Sequence, residues 1–378
     1  MINKIELSNF KCFKLLKLPL TELTLLAGSN ASGKSSLLQA LVILHQTIRE
    51  NEWSTRLILN GSILSLGTVQ DVVNKIHGRN GFELSLTNED SRYTWNFTGD
   101  RPEMSMTVKY VTGSTSKSED ESVLNKLIPF SAGAPPKICT TIECLSYITA
   151  ERIGPRDFYT LEDRSTIQTV GPKGEHAVSC LSRLGEKAVH ESICIEDAPP
   201  TLMRQVEAWM QKFFPGCGIE VVPIARMNAV SLGIRTSPET DYHRPINVGF
   251  GLTQVLPILV AVLSANAGDL VLIENPEVHL HPAGQALMGS FLATAAGMGA
   301  QIIIESHSDH VLNGIRRTVR KGALQPNQVS LHFFRPTSPD RDQVVSPQLD
   351  RLGNIDTWPE GFFDQFDKDM NHFAGWSE

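Results

Sequence analysis

The chain has no excess of positive charge: 34 Lys and Arg stand against 41 Asp and Glu in 378 residues, a net charge of −7. A surface that is basic throughout is excluded, so any contact with DNA must be local or come through a partner. A cysteine framework is missing too. The six cysteines, Cys12, Cys139, Cys144, Cys180, Cys194 and Cys217, include no C-x-x-C pair and follow no regular spacing. That argues against a disulfide-stapled module and a zinc ribbon, and fits free thiols in a reducing cytosol. The longest apolar stretch, Val255 to Leu263, is soon broken by Asn266 and Asp269, and the opening Met-Ile-Asn-Lys-Ile-Glu carries no apolar leader. The expectation is a cytoplasmic protein that neither spans a membrane nor is secreted. No internal repeat is visible, and no heptad pattern runs long enough for a coiled-coil arm. With 41% hydrophobic and 20% charged residues, the composition is that of a globular protein of about two to three domain-sized units.

What is present starts with Gly28-Ser-Asn-Ala-Ser-Gly33-Lys34-Ser35-Ser36, which fits the spacing G-x-x-x-x-G-K-[ST]. In that pattern glycines let successive backbone N–H groups curl around a phosphate, and the lysine reaches the β- and γ-oxygens. The apolar run Leu23 to Ala27 reads as a buried strand, and Ser35 to Ile48 has helical apolar spacing, so the loop joins a strand to a helix. Residues Asn30, Ala31, Ser32, Gly33, Lys34, Ser35 and Ser36 are therefore expected to bind ATP, with Ser35 on Mg²⁺.

Before this loop, Ile2 to Leu20 alternates as strands do, and strand-like runs recur at 82–86, 93–97 and 104–111, suggesting an antiparallel sheet. Residues 113–122 read as a polar loop, 171–175 and 235–245 as turn-rich, and 176–192 and 200–214 as helices. From Val248 the pattern becomes αβαβ: a helix to Ala265, a strand 270–273, a helix 283–296, a strand 301–304 and a helix 308–321, the signature of a parallel sheet. In the last twenty residues Phe362, Phe363, Phe366, Met370 and Phe373 fall on one helical stripe. Such a stripe either packs on its own domain or docks a partner.

The strand at 270–273 ends in Glu274-Asn275-Pro276-Glu277, where a P-loop ATPase places the acid that orients Mg²⁺, and Glu274 is the natural partner of Ser35. The strand at 301–304 ends in Glu305-Ser306-His307-Ser308, which sets a histidine at a strand's carboxyl end, within reach of a γ-phosphate. Glu277, His279 and His281 could hold a metal or line an interface, and Arg152 and Arg156, two arginines near a turn, could enter a structural ion pair with an acid or clamp a ligand.

Together, Lys4 to Lys11, Gly28 to Ser36, Val248-Gly249-Phe-Gly251-Leu-Thr253-Gln254, Ile273 to Pro282 and Glu305-Ser-His307-Ser-Asp resemble the ABC-type ATPase heads of the RecF/SMC and OLD-like group, often called AAA family ATPases in bacteria. The resemblance is close over 1–75 and 245–320 and weak in the middle. It implies an α/β P-loop NTPase fold of ABC-ATPase head type: a mixed sheet with flanking helices, an antiparallel β subdomain and a helical insertion. The expected division is an N-terminal lobe over 1–111, an inserted region over 112–245, a C-terminal lobe over 246–350 and a tail helix over 351–378. In such heads two copies sandwich two nucleotides, so the resemblance implies a homodimer or larger oligomer in which Gly249, Gly251 and Thr253 meet the γ-phosphate held by the other copy. Free N–H groups at a helix start are suited to an anion, although the same glycines could simply begin a helix.

The resemblance also makes Glu274, Asn275, Glu277 and His307 the catalytic set, with one departure. Asn275 stands where typical heads carry a catalytic glutamate. An amide orients water but cannot take its proton, so hydrolysis is expected to be slow unless Glu277 or Glu305 substitutes. The implied role is a switch or motor subunit of an anti-phage or DNA-repair complex with a separate effector protein. The alternatives are a scaffold that loads ATP without turnover and an OLD-like nuclease, for which Asp367-Lys-Asp369 is a weak acidic pair.

Overall fold

The computed structural model describes all residues except 79, 114–116, 120–123, 130–134, 162–168, 337, 339–340, 375 and 377–378, with backbone alone at 117–119 and 365–367. The chain forms two compact units: residues 1–21, 30–145 and 268–270 make the first, and 22–29, 146–267 and 271–378 the second.

The first unit opens with β1 (Lys4–Phe10) and β2 (Phe13–Pro19); the next strand, β3 (Leu23–Gly28), belongs to the second unit. There follow α1 (Lys34–Glu50), β4 (Arg56–Ile58), α2 (Val69–Val72), β5 (Gly81–Thr87), β6 (Arg92–Thr98), β7 (Ser105–Thr112), β8 (Lys117–Glu119), β9 (Leu124–Asn125), β10 (Ile128–Pro129) and α3 (Lys137–Glu143). An antiparallel sheet runs in the order β2-β1-β5-β6-β7-β4, with β8 also on β7. Period-two alternation builds it: Ile5, Leu7, Phe82, Leu84, Leu86, Trp95 and Phe97 are buried, while their strand neighbours Lys4, Glu6 and Arg92 keep solvent contact. Phe82 joins the layers, its ring 4.9 Å from Phe10 and 5.0 Å from Phe97. The polar loop expected over 113–122 contains β8, because the free edge of β7 can pair even with polar residues. Residues 114–116 and 120–122 of that loop lie outside the described residues.

One buried histidine makes this unit acid-sensitive. His45 on α1 is 1% exposed and its Nδ1 lies 2.6 Å from the carbonyl oxygen of Ile142. Burial lowers its pKa from 6.5 to about 4. The folded pKa is depressed, so the stability this residue contributes is complete above pH 6.5 and is lost as pH falls towards 4. The loss should approach about 3 kcal/mol, at 1.36 kcal/mol per unit. Denaturant titrations from pH 7 to 4 should show this slope in the wild type and a flatter one in His45→Gln.

The second unit adds β11 (Ser146–Ile148), β12 (Tyr159–Thr160), α4 (Ala177–Leu184), α5 (Leu202–Phe213), β13 (Gly218–Pro223), β14 (Ala229–Arg235) and α6 (Phe250–Ser264). After them come β15 (Leu270–Glu274), α7 (Pro282–Ala296), β16 (Gln301–Glu305), α8 (Asp309–Arg320), β17 (Val329–Phe334), β18 (Val344–Val345) and α9 (Gln365–Phe373). The main sheet has the order β11-β15-β16-β3-β17-β18, with β11–β15, β16–β3 and β17–β3 parallel and β18 antiparallel. Its inner strands are apolar at nearly every position because both faces are covered. Helix α6 is apolar all round and buried from Leu252 to Leu263, as a core helix is. Helices α7 and α8 cross backbone to backbone. A Cβ on Gly289 would sit 2.1 Å from the carbonyl oxygen of Val311, and one on Gly314 2.1 Å from that of Ala286.

Two element expectations need correction. The helix read over 176–192 stops at Leu184, with Gly185 as its cap: the apolar face of α4 ends with Leu181, and Ala188 instead bridges Thr201. The tail stripe is split as well. Phe362 and Phe363 precede α9, and Phe363 has a left-handed φ of 54° that no helix continues. Phe362 is fully buried against Phe333, which favours self-packing at that position, while Met370 and Phe373 face solvent. The side chains of Phe366 and Asp367 lie outside the described residues.

Candidate functional site

In the first unit the phosphate-loop segment ends on a glycine that no other residue replaces. Gly33 precedes α1 at a φ of 110°, and a Cβ there would meet Cys12 Sγ and Phe13 Cζ at 2.6 Å. Ala31 is also left-handed, at 59°. Asn30 and Ala31 are exposed, Ser35 and Ser36 half-buried, and Ser32 and Lys34 buried. The first turn of α1 contains no acid, so its N–H groups and dipole have no carboxylate of their own to face. Such a helix start, with a lysine rooted in it, is built to receive an anion.

The second unit gathers Glu274, Asn275, Glu277 and His307 at the carboxyl ends of the adjacent strands β15 and β16. Glu274 is held on both oxygens: Oε1 accepts the Tyr147 hydroxyl at 2.7 Å and Oε2 the Ala150 N–H at 3.2 Å. Burial, reinforced by that carboxylate, keeps the Tyr147 phenol protonated far above its ordinary range. Arg152 sits beneath the turn, donating to the carbonyls of Glu274 at 3.0 Å and Asn275 at 2.9 Å. It is 6% exposed, and burial lowers its pKa to about 10. Arg152 thus fixes the backbone that presents Glu274, and the Glu277 and Glu274 carboxylates favour its charge.

Asn275 adopts a left-handed φ of 44° and donates its N–H to the Glu305 carbonyl at 2.8 Å. Asparagine tolerates this conformation better than most residues. Its buried Oδ1 meets no donor among the described residues. Glu277 spans the gap to the next strand, accepting the Ser306 hydroxyl at 2.9 Å and the His307 N–H at 2.8 Å. Burial raises its pKa despite these donors. His307 itself is exposed. Gln285 on α7 adds a second bridge, accepting the Ser308 hydroxyl at 2.6 Å and donating to the Leu280 carbonyl at 2.9 Å. Sequence reading missed Tyr147, Ala150 and Gln285, and named Ser306 only as a neighbour of His307.

Gly249, Gly251 and Thr253 also lie in this unit. Gly249 caps α6 and is exposed, with α6 free of acid in its first turn. Gly251 runs against the His279 carbonyl, 2.8 Å from where a Cβ would stand. The Thr253 hydroxyl donates to the Phe250 carbonyl at 2.9 Å, so it serves the helix itself. His279 packs edge-on against Phe250, ring centres 4.9 Å apart, and among the described residues no group of three His, Cys, Asp or Glu is arranged to hold a metal ion. No helix among them is long and apolar enough to cross a membrane.

Three segments match known families: residues 1–128 an "AAA ATPase domain", 231–313 an "AAA domain, putative AbiEii toxin, Type IV TA system", and 324–372 a "Protein of unknown function (DUF3696)". No curated protein matches the chain. Among solved structures, an Smc head domain with an extended coiled coil, bound to the C-terminal domain of ScpA and derived from Pyrococcus furiosus, aligns at a TM-score of 0.54 with 12% identity, covering 99% of this chain and 98% of that one. An SmcHead bound to the C-winged helix domain of ScpA aligns at 0.52 with 13% identity, covering 93% and 98%. At these identities the alignments speak for the fold alone, that of an Smc head; the two AAA matches, one spanning residues 28–36 and the other running from ahead of Gly249 past His307, support an ATP-binding AAA ATPase.

Proposed function

We propose that this chain is a nucleotide-gated switch, an ATPase head that closes on a second copy when ATP is loaded. The observation that carries the reading is the anion-ready start of α1, where a left-handed Gly33 and a buried Lys34 open a helix without its own acid. These features fit ATP, held by residues 30–36, with Ser35 and Glu274 as the residues that would hold Mg²⁺. When bound, the magnesium nucleotide supplies the transferable phosphoryl group and a cation that offsets its charge. The protein's part is positioning: Tyr147, Ala150 N–H and Arg152 fix Glu274, and Glu277 fixes the turn that carries His307. Asn275 orients water without accepting its proton, which makes turnover slow and favours a second reading, a scaffold that loads ATP and hydrolyses it negligibly.

Gly249, Gly251 and Thr253 are assigned to the face that meets the other copy's nucleotide, with Thr253 contributing through the helix start. The match to a toxin–antitoxin AAA family supports a role in anti-phage defence beside a separate effector, with DNA contacted through the complex if at all. The test is mass in solution with a non-hydrolysable ATP analogue. Gly251→Arg is a poor probe, because even a Cβ strains the His279 loop. Gly249 is better: a Cβ there meets only Leu252 Cδ1, at 3.6 Å. ATP-dependent dimers should form in the wild type and be lost in Gly249→Arg, with ATP binding retained. A monomer in both states of the wild type contradicts the switch.

A further inference from the structure

Helices α7 and α8 line a groove of about 530 Å³ in the second unit, to which none of the residues named for ATP contributes. Its floor is small and apolar, made by Ala283, Ala286 and Leu287 of α7. Its rim is basic. His310, Arg317 and Lys321 stand there, seven and four positions apart and so on one face of a helix. Arg317 and Lys321 are exposed, whereas Arg316 is engaged elsewhere, donating to the Gly353 carbonyl at 2.6 Å and to Asn313 at 2.9 Å. No charged residue occurs in α7, and Asp309 is the one acid of α8. On a chain with a net charge of −7, this groove is a local positive site around an apolar floor.

The tail has the opposite character. Met370 is 52%, Phe373 83% and Trp376 81% exposed, and the segment 364–378 around them carries Asp364, Asp367, Asp369 and Glu378 against Lys368 alone. Met370 and Phe373 share a face of α9, and Trp376 follows with its N–H on the Asn371 carbonyl at 2.8 Å. None of these residues lines the groove of its own copy. We propose that the tail of one copy docks in the α7–α8 groove of a second copy, with Phe373 and Trp376 on the apolar floor and the tail acids towards Arg317 and Lys321. Aromatic burial supplies the attraction and the opposite charges select the partner, as when an amphipathic helix enters a groove. One short helix covers too little area for a stable pair. Reciprocal exchange doubles that area and closes the pair about a twofold axis. The contact uses neither nucleotide nor Gly249 and Gly251, so it is a second surface between copies, beyond the ATP-dependent one, and joins nucleotide-bound pairs into a larger assembly.

The test is self-association of the full chain without nucleotide or Mg²⁺, read by sedimentation over a range of concentrations. Wild type should self-associate, and Gly249→Arg should match it, so failure of the ATP-dependent pairing leaves this result readable. Two double variants remove one surface each at exposed positions. Phe373→Asp with Trp376→Asp strips the tail of its aromatics. Ala283→Glu with Arg317→Gln sets a like charge on the groove floor, in the first turn of α7 where an acid suits the helix. Each should weaken association at least tenfold with the melting temperature unchanged, and a mixture of the two should associate more tightly than either alone, because each supplies the surface the other lacks. The proposal is overturned if wild type stays monomeric, if either double variant associates undiminished, or if the mixture gains nothing.

Discussion

Lys34→Ala loses about 10²–10⁴-fold in ATP affinity, the equivalent of two charge-assisted hydrogen bonds to phosphate oxygens. Because Lys34 is 3% exposed, its stem packs in the fold, and truncation to alanine could blur a binding defect with a stability defect. Lys34→Met separates them. It keeps the apolar stem and removes the charge, so it should melt close to the wild type and bind as poorly as the alanine variant. Equilibrium titration with a labelled ATP analogue, beside thermal melts, reads both quantities. Unchanged affinity in a folded Lys34→Met protein would overturn the assignment of residues 30–36 to the nucleotide.

The second large effect concerns the acidic strand end. Glu274→Gln should abolish Mg²⁺-dependent turnover, whereas Asn275→Glu should raise basal ATPase or leave it unchanged. Restoring a carboxylate base is worth about 10²–10⁴ in rate where it is well placed. Two costs moderate the gain: glutamate fits the left-handed φ of 44° less well than asparagine, and its charge would be buried near Glu305. Wild-type turnover should stay below the enzyme median of about 10 s⁻¹. Tyr147→Phe is the informative companion, because it frees one oxygen of Glu274 while retaining the acid, and should weaken Mg²⁺ dependence without abolishing it. Glu277→Gln, in contrast, presents an amide to one of two donors and should lower turnover together with stability. A fast wild-type enzyme that Asn275→Glu inactivates would show that the asparagine itself positions the water.

The core of this architecture was legible because its signals are local. Continuous apolar runs gave β3, β15 and β16; a glycine at the foot of an apolar helix gave the start of α1; and Glu274 and His307 were found as polar residues ending buried strands. The parts that escaped depend on pairing between residues distant in sequence. Tyr147 lies 127 residues from the carboxylate it holds, and Arg152 lies 123 from the Asn275 carbonyl. Nothing in the composition of 146–152 marks that segment as the neighbour of β15, since β11 is three residues long and its register is set by the sheet. The tail misled for a different reason. Spacing placed Phe362 and Phe363 on a helical stripe, but burial of Phe362 against Phe333 outweighed helix propensity, and the chain turns at Phe363 instead.

The mutual notching of Gly289 and Gly314 has a mechanical consequence. Helix α7 starts just after the turn carrying Glu277 to His281, and helix α8 just after His307, and at Gly289 and Gly314 the two backbones come into close contact, with Ser290 Oγ also bonded to the Gly314 carbonyl. The pair cannot slide by a fraction of a residue without collision, so it moves as one stiff lever. A shift at His307 is then expected to reach the Glu277–His281 turn, whose His279 carbonyl lies against Gly251. Two loops far apart in the chain keep the same time because glycine leaves them nothing to rattle against.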